Sequence, residues 1–397
     1  MIGAGWAGLA AAIRATEAGQ HVTLFEASRS VGGRAKAIAA EAPDGSRLDN
    51  GQHILIGAYT DTLALMRRVG LDPSQCLLER PLCLQFPDRS GLRLPNWPAP
   101  LDALAGVLGA RGWSLADKMS LLRHMLRWRR QGFRAGERHS VAELCQHLRP
   151  RIYRELIEPL CVSALNTPAA QASARVFLRV LHDALMGAPG ASHLLLPRTD
   201  LSHLFPEAAQ QWLTKRGATV RLGRRVTQLH RQAQGWQIDG EPFDAVIVAG
   251  AAAHACQLLR PSVAHLDAER AAALSGWIQS AQALRFEAIA TVYAHAAQAR
   301  LTQPMLSLRS GPETPAQFVF DRGQLGGPAG LLAFVVSASQ GERDTLQAQV
   351  LAQAQAQLGL RLHAVQTVIE KRATFACTPA LQRPGAVITE GLLACGD

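Results

Sequence analysis

Gly3, Gly5 and Gly8, in the run Gly-Ala-Gly-Trp-Ala-Gly, and the acidic Glu26 that ends the apolar stretch His21-Val22-Thr23-Leu24-Phe25 have the types and spacing that hold a dinucleotide. The glycines allow a tight strand-to-helix turn and let backbone approach a pyrophosphate. Its charge then rests on the positive N-terminus of a helix predicted over residues 7–18, with Ala7 in the first turn. Glu26 is placed to accept a hydrogen bond from a ribose 2′-hydroxyl. Six residues beyond it comes Gly32-Gly33-Arg34. Paired glycines let a second backbone segment cross the pyrophosphate, and the planar fork of Arg34 can neutralise it. This extension separates flavin from nicotinamide binders.

The elements that must position these residues are interleaved. The spacing predicts a Rossmann-type, doubly wound α/β domain from three separate pieces, residues 1–78, 194–259 and 386–397. The middle piece reads as a helix over 204–216, strands over 218–222 and 225–229, and a continuous apolar run over 243–250 that fits a strand buried on both faces of a parallel sheet. Two insertions, 79–193 and 262–378, read as an α+β substrate domain. In the first, Thr167 can cap a helix begun by Pro168 and ended by Gly187, with Val176, Phe177, Val180, Leu181, Ala184 and Leu185 as its apolar stripe. Residues 114–130 form a basic amphipathic helix with Leu115, Met119, Leu122, Met125 and Leu126 on one side. That stripe has two readings, core packing or the border of a hydrocarbon entrance resting on a bilayer. The second insertion reads as strands over 288–293, 316–320, 331–337 and 365–375, with a helix over 343–358.

The stretch Glu26 to Arg34 resembles the signature of the FAD-dependent amine oxidase and carotenoid desaturase superfamily, and the apolar strand closing on Gly396-Asp397 resembles its C-terminal motif. The resemblance implies FAD as cofactor, with Asp397 at the ribityl or pyrophosphate portion and the backbone of Val226 at the adenine. Members begin with a full first strand and continue past Gly-Asp, so a chain with two residues before Gly3 and none after Asp397 is expected to be trimmed at both ends. Leu48-Asp49-Asn50-Gly51-Gln52-His53, Leu165-Asn166-Thr167-Pro168 and Glu370-Lys371-Arg372-Ala373-Thr374-Phe375 narrow the likeness to the hydroxysqualene dehydroxylases. Phe320-Asp321-Arg322-Gly323 fits the same pattern. This narrower resemblance implies reduction of a C30 allylic alcohol, hydroxysqualene, to squalene by reduced FAD, in squalene and hopanoid biosynthesis, with an external electron donor.

In related flavoproteins the Leu48 to His53 segment runs beside the flavin ring, which implies Gly51, Gln52 and His53 as neighbours of the ring. A leaving hydroxyl group needs an acid. His53 has a suitable ordinary pKa, set against a second reading as a hydrogen-bonded packing residue. Asp49 is the next candidate, set against a buried aspartate that anchors the loop. Lys371, with Arg372 and Phe375, approaches the return to the flavin domain and is a third. Two other functions stay open: a desaturase or amine oxidase sharing the FAD motifs, and a non-catalytic lipid-binding remnant.

A chain of 397 residues, 48% hydrophobic, can bury two cores. Its net charge of +10 comes from scattered arginines without the interleaved aromatics of a nucleic-acid surface. Seven cysteines without Cys-x-x-Cys or His/Cys spacing read as reduced thiols, no metal site and a cytoplasmic protein, peripheral at most to the inner face of the cytoplasmic membrane. No apolar run reaches the roughly 20 residues a membrane-spanning helix needs.

Overall fold

The computed structural model describes residues 1–396. In chain order the elements used below are α1 (Trp6–Glu17), β1 (Thr23–Phe25), β2 (Ala37–Glu41), β3 (Arg47–Asp49), α2 (Leu101–Gly109), α3 (Leu115–Arg130), α4 (Glu158–Leu165), α5 (Ala174–Leu185), α6 (Pro206–Lys215), β4 (Thr219–Arg221) and β5 (Val246–Val248). They continue with α7 (Ala252–Leu259), α8 (Ala268–Gln282), β6 (Phe286–His295), β7 (Met305–Ser307), β8 (Phe318–Asp321), β9 (Leu331–Ser339), α9 (Arg343–Leu358), β10 (His363–Phe375), β11 (Val387–Thr389) and β12 (Leu392–Ala394).

The short strands of the nucleotide side form one parallel core. β1 pairs with β4 and β5 with β12, both in parallel, and Ile2 joins the halves by parallel bridges to Phe25 and Val248. The Ile2 N–H donates to the Ile247 carbonyl at 2.9 Å, and the Ala249 N–H donates to the Ile2 carbonyl at 2.7 Å. β11 then adds antiparallel to β12. Because strand side chains alternate, the adjacent Leu24 and Phe25 enter different cores. Leu24 packs with Leu9, Ala12 and Ile13 of α1 and with Ala209 and Leu213 of α6, whereas Phe25 packs with Cys256 and Leu259 of α7 and Leu274 and Trp277 of α8.

The second unit is a five-stranded antiparallel sheet in the order β7-β8-β9-β6-β10. Period-two alternation again divides the side chains. Ala290, Val292, Val319 and Phe334 pack on Leu346, Val350 and Ala354 of α9. Tyr293, Phe318, Phe320 and Ala333 share the other core with Leu121 and Trp128 of α3, Cys161 of α4, and Phe177 and Leu181 of α5.

Several boundaries differ from those the sequence predicts. The helix expected at Pro168 begins at Ala174 and is capped by the Ser173 hydroxyl, because the Thr167 hydroxyl already donates to Leu165 O and accepts from the Cys377 N–H. The helix expected over 204–216 is broken at Phe205 (φ −159°, ψ −49°), since the proline that follows disfavours helical backbone there. Residues 224–228 belong to no strand, and ladder pairing begins only at Leu229 in a small antiparallel meander with Trp236–Ile238 and Glu241–Phe243. The expected buried strand over 243–250 is therefore only β5, with Phe243 given to the meander. The spacing starts the second insertion at residue 262, yet α8 lies in the nucleotide-side core because its Leu274, Trp277 and Ile278 pack on α7. The helix over 343–358 coincides with α9.

Candidate functional site

At the carboxyl end of the parallel sheet the glycines build a cradle around the start of α1. Gly5 is the N-cap, no side chain among the described residues bonds the first-turn amides, and no acid occupies that turn. Those N–H groups and the helix dipole suit an anion. A Cβ on Gly8 would lie 2.0 Å from the Gly3 carbonyl oxygen and 3.0 Å from Ala249 Cβ, so only glycine lets α1 start against Gly3. Gly33 has φ +63°, and a Cβ there would stand 3.0 Å from Gly5 Cα; this is how closely the second glycine loop crosses the first. Gly32 bridges Gly5 and donates its N–H to the Ala4 carbonyl at 2.8 Å.

Glu26 accepts the Ala4 N–H on one carboxylate oxygen and the Ser28 N–H on the other, each at 2.7 Å. It holds the glycine loop to the end of β1 and keeps unused lone pairs for a hydroxyl. The Arg224 N–H donates to Glu26 O, which lays the segment carrying Val226 beside that acid. From the far end of the chain the Cys395 N–H donates to Val248 O, and Gly396 comes near Ala7, where its Cβ would meet that of Ala7 at 3.9 Å. Asp397 lies outside the described residues. An unblocked helix start, two crossing glycine loops and an acid at the strand end fit the pyrophosphate and ribose of FAD.

Arg34 extends from the second glycine loop towards the end of β10. Its Nη1 donates to the carbonyls of Arg372 at 2.6 Å and Ala373 at 2.8 Å, tying the second glycine loop to the end of β10. Asn50 adds a second tie, donating to Arg34 O at 2.8 Å and to the Glu370 carboxylate at 3.3 Å. A third comes from Asn166, only 3% exposed, in left-handed conformation (φ 45°) at the C-cap of α4. Its Nδ2 donates to Glu287 O at 3.3 Å and Thr374 Oγ1 at 3.1 Å, and its Oδ1 accepts the Ala338 N–H at 2.6 Å. The three motif stretches, more than 300 residues apart at their extremes, therefore share one junction of bonds around the end of β10 and the bulge of β6 between Ala288 and Ile289.

The Asp49 to His53 segment runs against that junction. Asp49 is 5% exposed; its Oδ1 accepts the Leu201 N–H at 2.8 Å and its carbonyl accepts the Tyr293 hydroxyl at 3.1 Å. Burial raises its carboxyl to about 6, against the backbone bond from Leu201 and the nearby Arg322, which favour the ionised form. The Gln52 N–H reaches Thr291 Oγ1 at 3.3 Å, and the Gln52 side-chain oxygen accepts from Arg322 at 3.2 Å. His53 Nδ1 lies 3.0 Å from the Gly51 carbonyl, and burial pushes the ring below its ordinary pKa. At neutral pH this histidine is uncharged, with Nδ1–H donating to Gly51 and Nε2 left as an acceptor with no partner among the described residues. Lys371 is exposed on β10. Sequence reasoning gave no role to Tyr293 or Thr291, and none to Arg322 beyond its place in a motif. The available signal was an arginine following the apolar strand Phe318–Asp321, which the fold makes 8% exposed.

The paired shifts carry a stability prediction. Between pH 4 and 6 the folded state keeps the Asp49 proton that the unfolded chain gives up, so this group's contribution is fully favourable below about pH 4 and is lost as pH rises to about 6. A shift of about two units corresponds to roughly 3 kcal/mol. His53 acts oppositely: its folded pKa is lowered, so its contribution is present above pH 6.5 and falls in acid. Asp49→Asn, which keeps an acceptor for Leu201, is expected to gain stability over the wild type as pH rises from 4 to 6.5, measured by urea unfolding. A difference that stays constant across that range would refute the assignment.

Residues 6–372 match the family described as flavin containing amine oxidoreductase. Among curated relatives, the hydroxysqualene dehydroxylase of Rhodopseudomonas palustris is 28% identical over 426 residues, covering all of this chain and 91% of that protein. Those of Zymomonas mobilis and Sinorhizobium fredii are 29% and 28% identical over 59% and 63% of this chain. The aligned parts make up 55% and 60% of those two proteins. In fold the chain is similar to an oxidoreductase from Methanosarcina mazei (TM-score 0.72, 17% identity, 100% of this chain and 93% of that one) and to a putrescine oxidase solved with putrescine (TM-score 0.62, 17% identity, 92% and 83%). With FAD as its cofactor and a matching span that runs from the first turn of α1 to the end of β10, the chain belongs to the flavin containing amine oxidoreductase family.

Proposed function

We propose that this chain is an FAD-dependent oxidoreductase that reduces hydroxysqualene to squalene. The observation that carries the reading is the convergence of the Asn50, Asn166 and Glu370 stretches on one junction beside the glycine cradle. Support also comes from the relative in R. palustris, which is matched over the whole chain. The substrate in this reading is a long isoprenoid alcohol, and the buried apolar core running from α3 and α5 to Tyr293 and Leu48 is the hydrocarbon region it would have to enter.

Reduced FAD, when bound, supplies the hydride. The alcohol carbon–oxygen bond breaks, the oxygen takes one proton and leaves as water, and the carbon accepts the hydride, so one hydride and one proton balance the conversion. Burial reorders the two candidates for the proton. It disfavours the charged form of both groups, leaving His53 as an acceptor at Nε2 and Asp49 as a carboxyl that holds a proton up to about pH 6. Asp49 is therefore assigned as the proton donor and His53 as a group that orients the hydroxyl by accepting its hydrogen. Lys371, exposed on β10, has no part in this scheme. Apolar walls keep water from recapturing the allylic cation formed as the bond breaks.

The test is anaerobic addition of hydroxysqualene to the photoreduced protein, following flavin reoxidation and squalene. Stoichiometric squalene is expected, with a rate that declines as pH rises through about 6. Asp49→Asn should slow reoxidation by roughly 10²- to 10⁴-fold, the range of general acid catalysis, and His53→Ala by much less. A yellow protein inert to hydroxysqualene but reactive towards a carotenoid polyene would sink the reading.

A further inference from the structure

Seven of the ten large apolar side chains exposed among the described residues lie between 97 and 126. α2 turns Asp102, Ala103, Gly106 and Val107 inward and leaves Leu101, Leu104 and Leu108, 56%, 43% and 50% exposed, along its outer face. Trp97, 59% exposed, precedes it. α3 buries Leu121 and Trp128, and by helical spacing Leu115, Met119 and Leu126 share a second face that stays exposed. The Lys118 ammonium donates to Leu108 O at 2.7 Å, holding the two helices side by side. Their apolar faces form one surface that no other described element covers.

The charge around that surface has one sign. At 100° per residue, Arg123, Arg127 and Arg130 flank the exposed stripe of α3 on one side, and Lys118 and Arg129 flank it on the other. Segment 97–134 holds seven basic residues against two acidic ones, a net +5 and half the chain's total of +10. Both acids, Asp102 and Asp117, are buried, and Asp117 is paired with Arg149 at 2.7 Å. A second copy would bring the same positive rim against this one, whereas an anionic bilayer offers hydrocarbon for the leucines, an interface for Trp97 and phosphate for the arginines.

We propose that the outer faces of α2 and α3, with Trp97, dock this protein on an anionic lipid bilayer without crossing it. Among the described residues no helix is long and apolar enough to cross. The inner faces of the same helices belong to the core that contains Tyr293 and Leu48, so the docked side is also the side nearest the proposed hydrocarbon site. The proposal rests on the surface alone and not on the identity of the substrate.

The experiment is flotation of the full flavin-loaded chain with vesicles of phosphatidylcholine, alone or mixed with phosphatidylglycerol. Binding to the mixed vesicles is expected to exceed binding to the neutral ones by about tenfold or more. Tryptophan emission should move to the blue on binding, and the shift should vanish in Trp97→Phe. Arg123→Glu/Arg127→Glu/Arg130→Glu and, separately, Leu104→Asp/Leu108→Asp/Leu115→Asp should each cut binding by about tenfold, with flavin absorbance and melting temperature retained. The arginine variant keeps the test decisive if the aspartates disturb folding. Equal binding to both vesicles, unchanged binding in the arginine variant, or a concentration-dependent dimer broken by these substitutions in a protein that ignores vesicles would overturn the proposal.

Discussion

Gly8→Ala is expected to yield a protein that retains no flavin and melts below the wild type. The added Cβ falls 2.0 Å from Gly3 O, a backbone atom that cannot swing aside, and 3.0 Å from Ala249 Cβ on the other side. Relief requires α1 to shift off the sheet that Ile2 joins, which removes the first-turn amides from the pyrophosphate position. Gly5→Ala separates the two effects. Its backbone is extended rather than left-handed, and a Cβ there meets only Gly33 Cα at 3.8 Å, so the fold should survive. The new methyl nevertheless stands in the approach of the pyrophosphate to the helix N-terminus. Flavin absorbance per protein, with thermal unfolding, checks both. Gly5→Ala should lose flavin affinity by at least about tenfold with little change in the apoprotein, and Gly8→Ala should lose both. A yellow Gly8→Ala protein of wild-type stability would disprove the cradle.

Asn166→Ala should be the most destabilising single change outside the glycine loops. It leaves the half-buried Ala338 N–H without an acceptor and removes the donor to the half-buried Glu287 O and Thr374 Oγ1. An orphaned buried polar group costs about 1–3 kcal/mol, half-buried groups fall at the low end, and placing alanine at φ 45° adds about 1 kcal/mol, so a loss of roughly 2–4 kcal/mol is expected. Asn166→Gly removes the backbone strain but not the orphaned groups and should recover only the smaller part. Asn166→Asp keeps the acceptor for Ala338 while turning a carboxylate oxygen towards Glu287 O. Urea unfolding of the three variants, read as a ranked series, tests this. Full recovery in the glycine variant would place the cost in the backbone and reject the junction.

What could be read from the sequence was what local rules decide. The glycine loop with Glu26 at the end of β1 and the span of α9 rest on turns, caps and short spacings, whereas the Asp49 to His53 segment was singled out by resemblance alone. Interactions with distant partners were not readable. Arg34 reaches carbonyls 338 and 339 residues away, and nothing in Gly-Gly-Arg announces those partners. Thr167 has the type and position of a cap, but Cys377, 210 residues on, uses its hydroxyl, and Ser173 caps instead. The proposed order of His53 and Asp49 as proton donors rests on burial, which residue type does not encode. The stripe of α3 reads as one apolar face, whereas the core takes Leu121 and Trp128 and leaves Leu115, Met119 and Leu126 outside.

The parallel core also sets a schedule for synthesis. Ile2 and β1 leave the ribosome long before their partners: β4 comes some 200 residues later and β12 only at residues 392–394. Arg34 waits as long for the carbonyls of Arg372 and Ala373. The helical insertion and the antiparallel sheet are complete by residue 375, while β5 still lacks its neighbour on one side. Domains usually consolidate as they emerge. Here an early segment waits for partners translated long after it, so the nascent chain carries an open strand edge and an unfinished cofactor cradle until β12 has emerged.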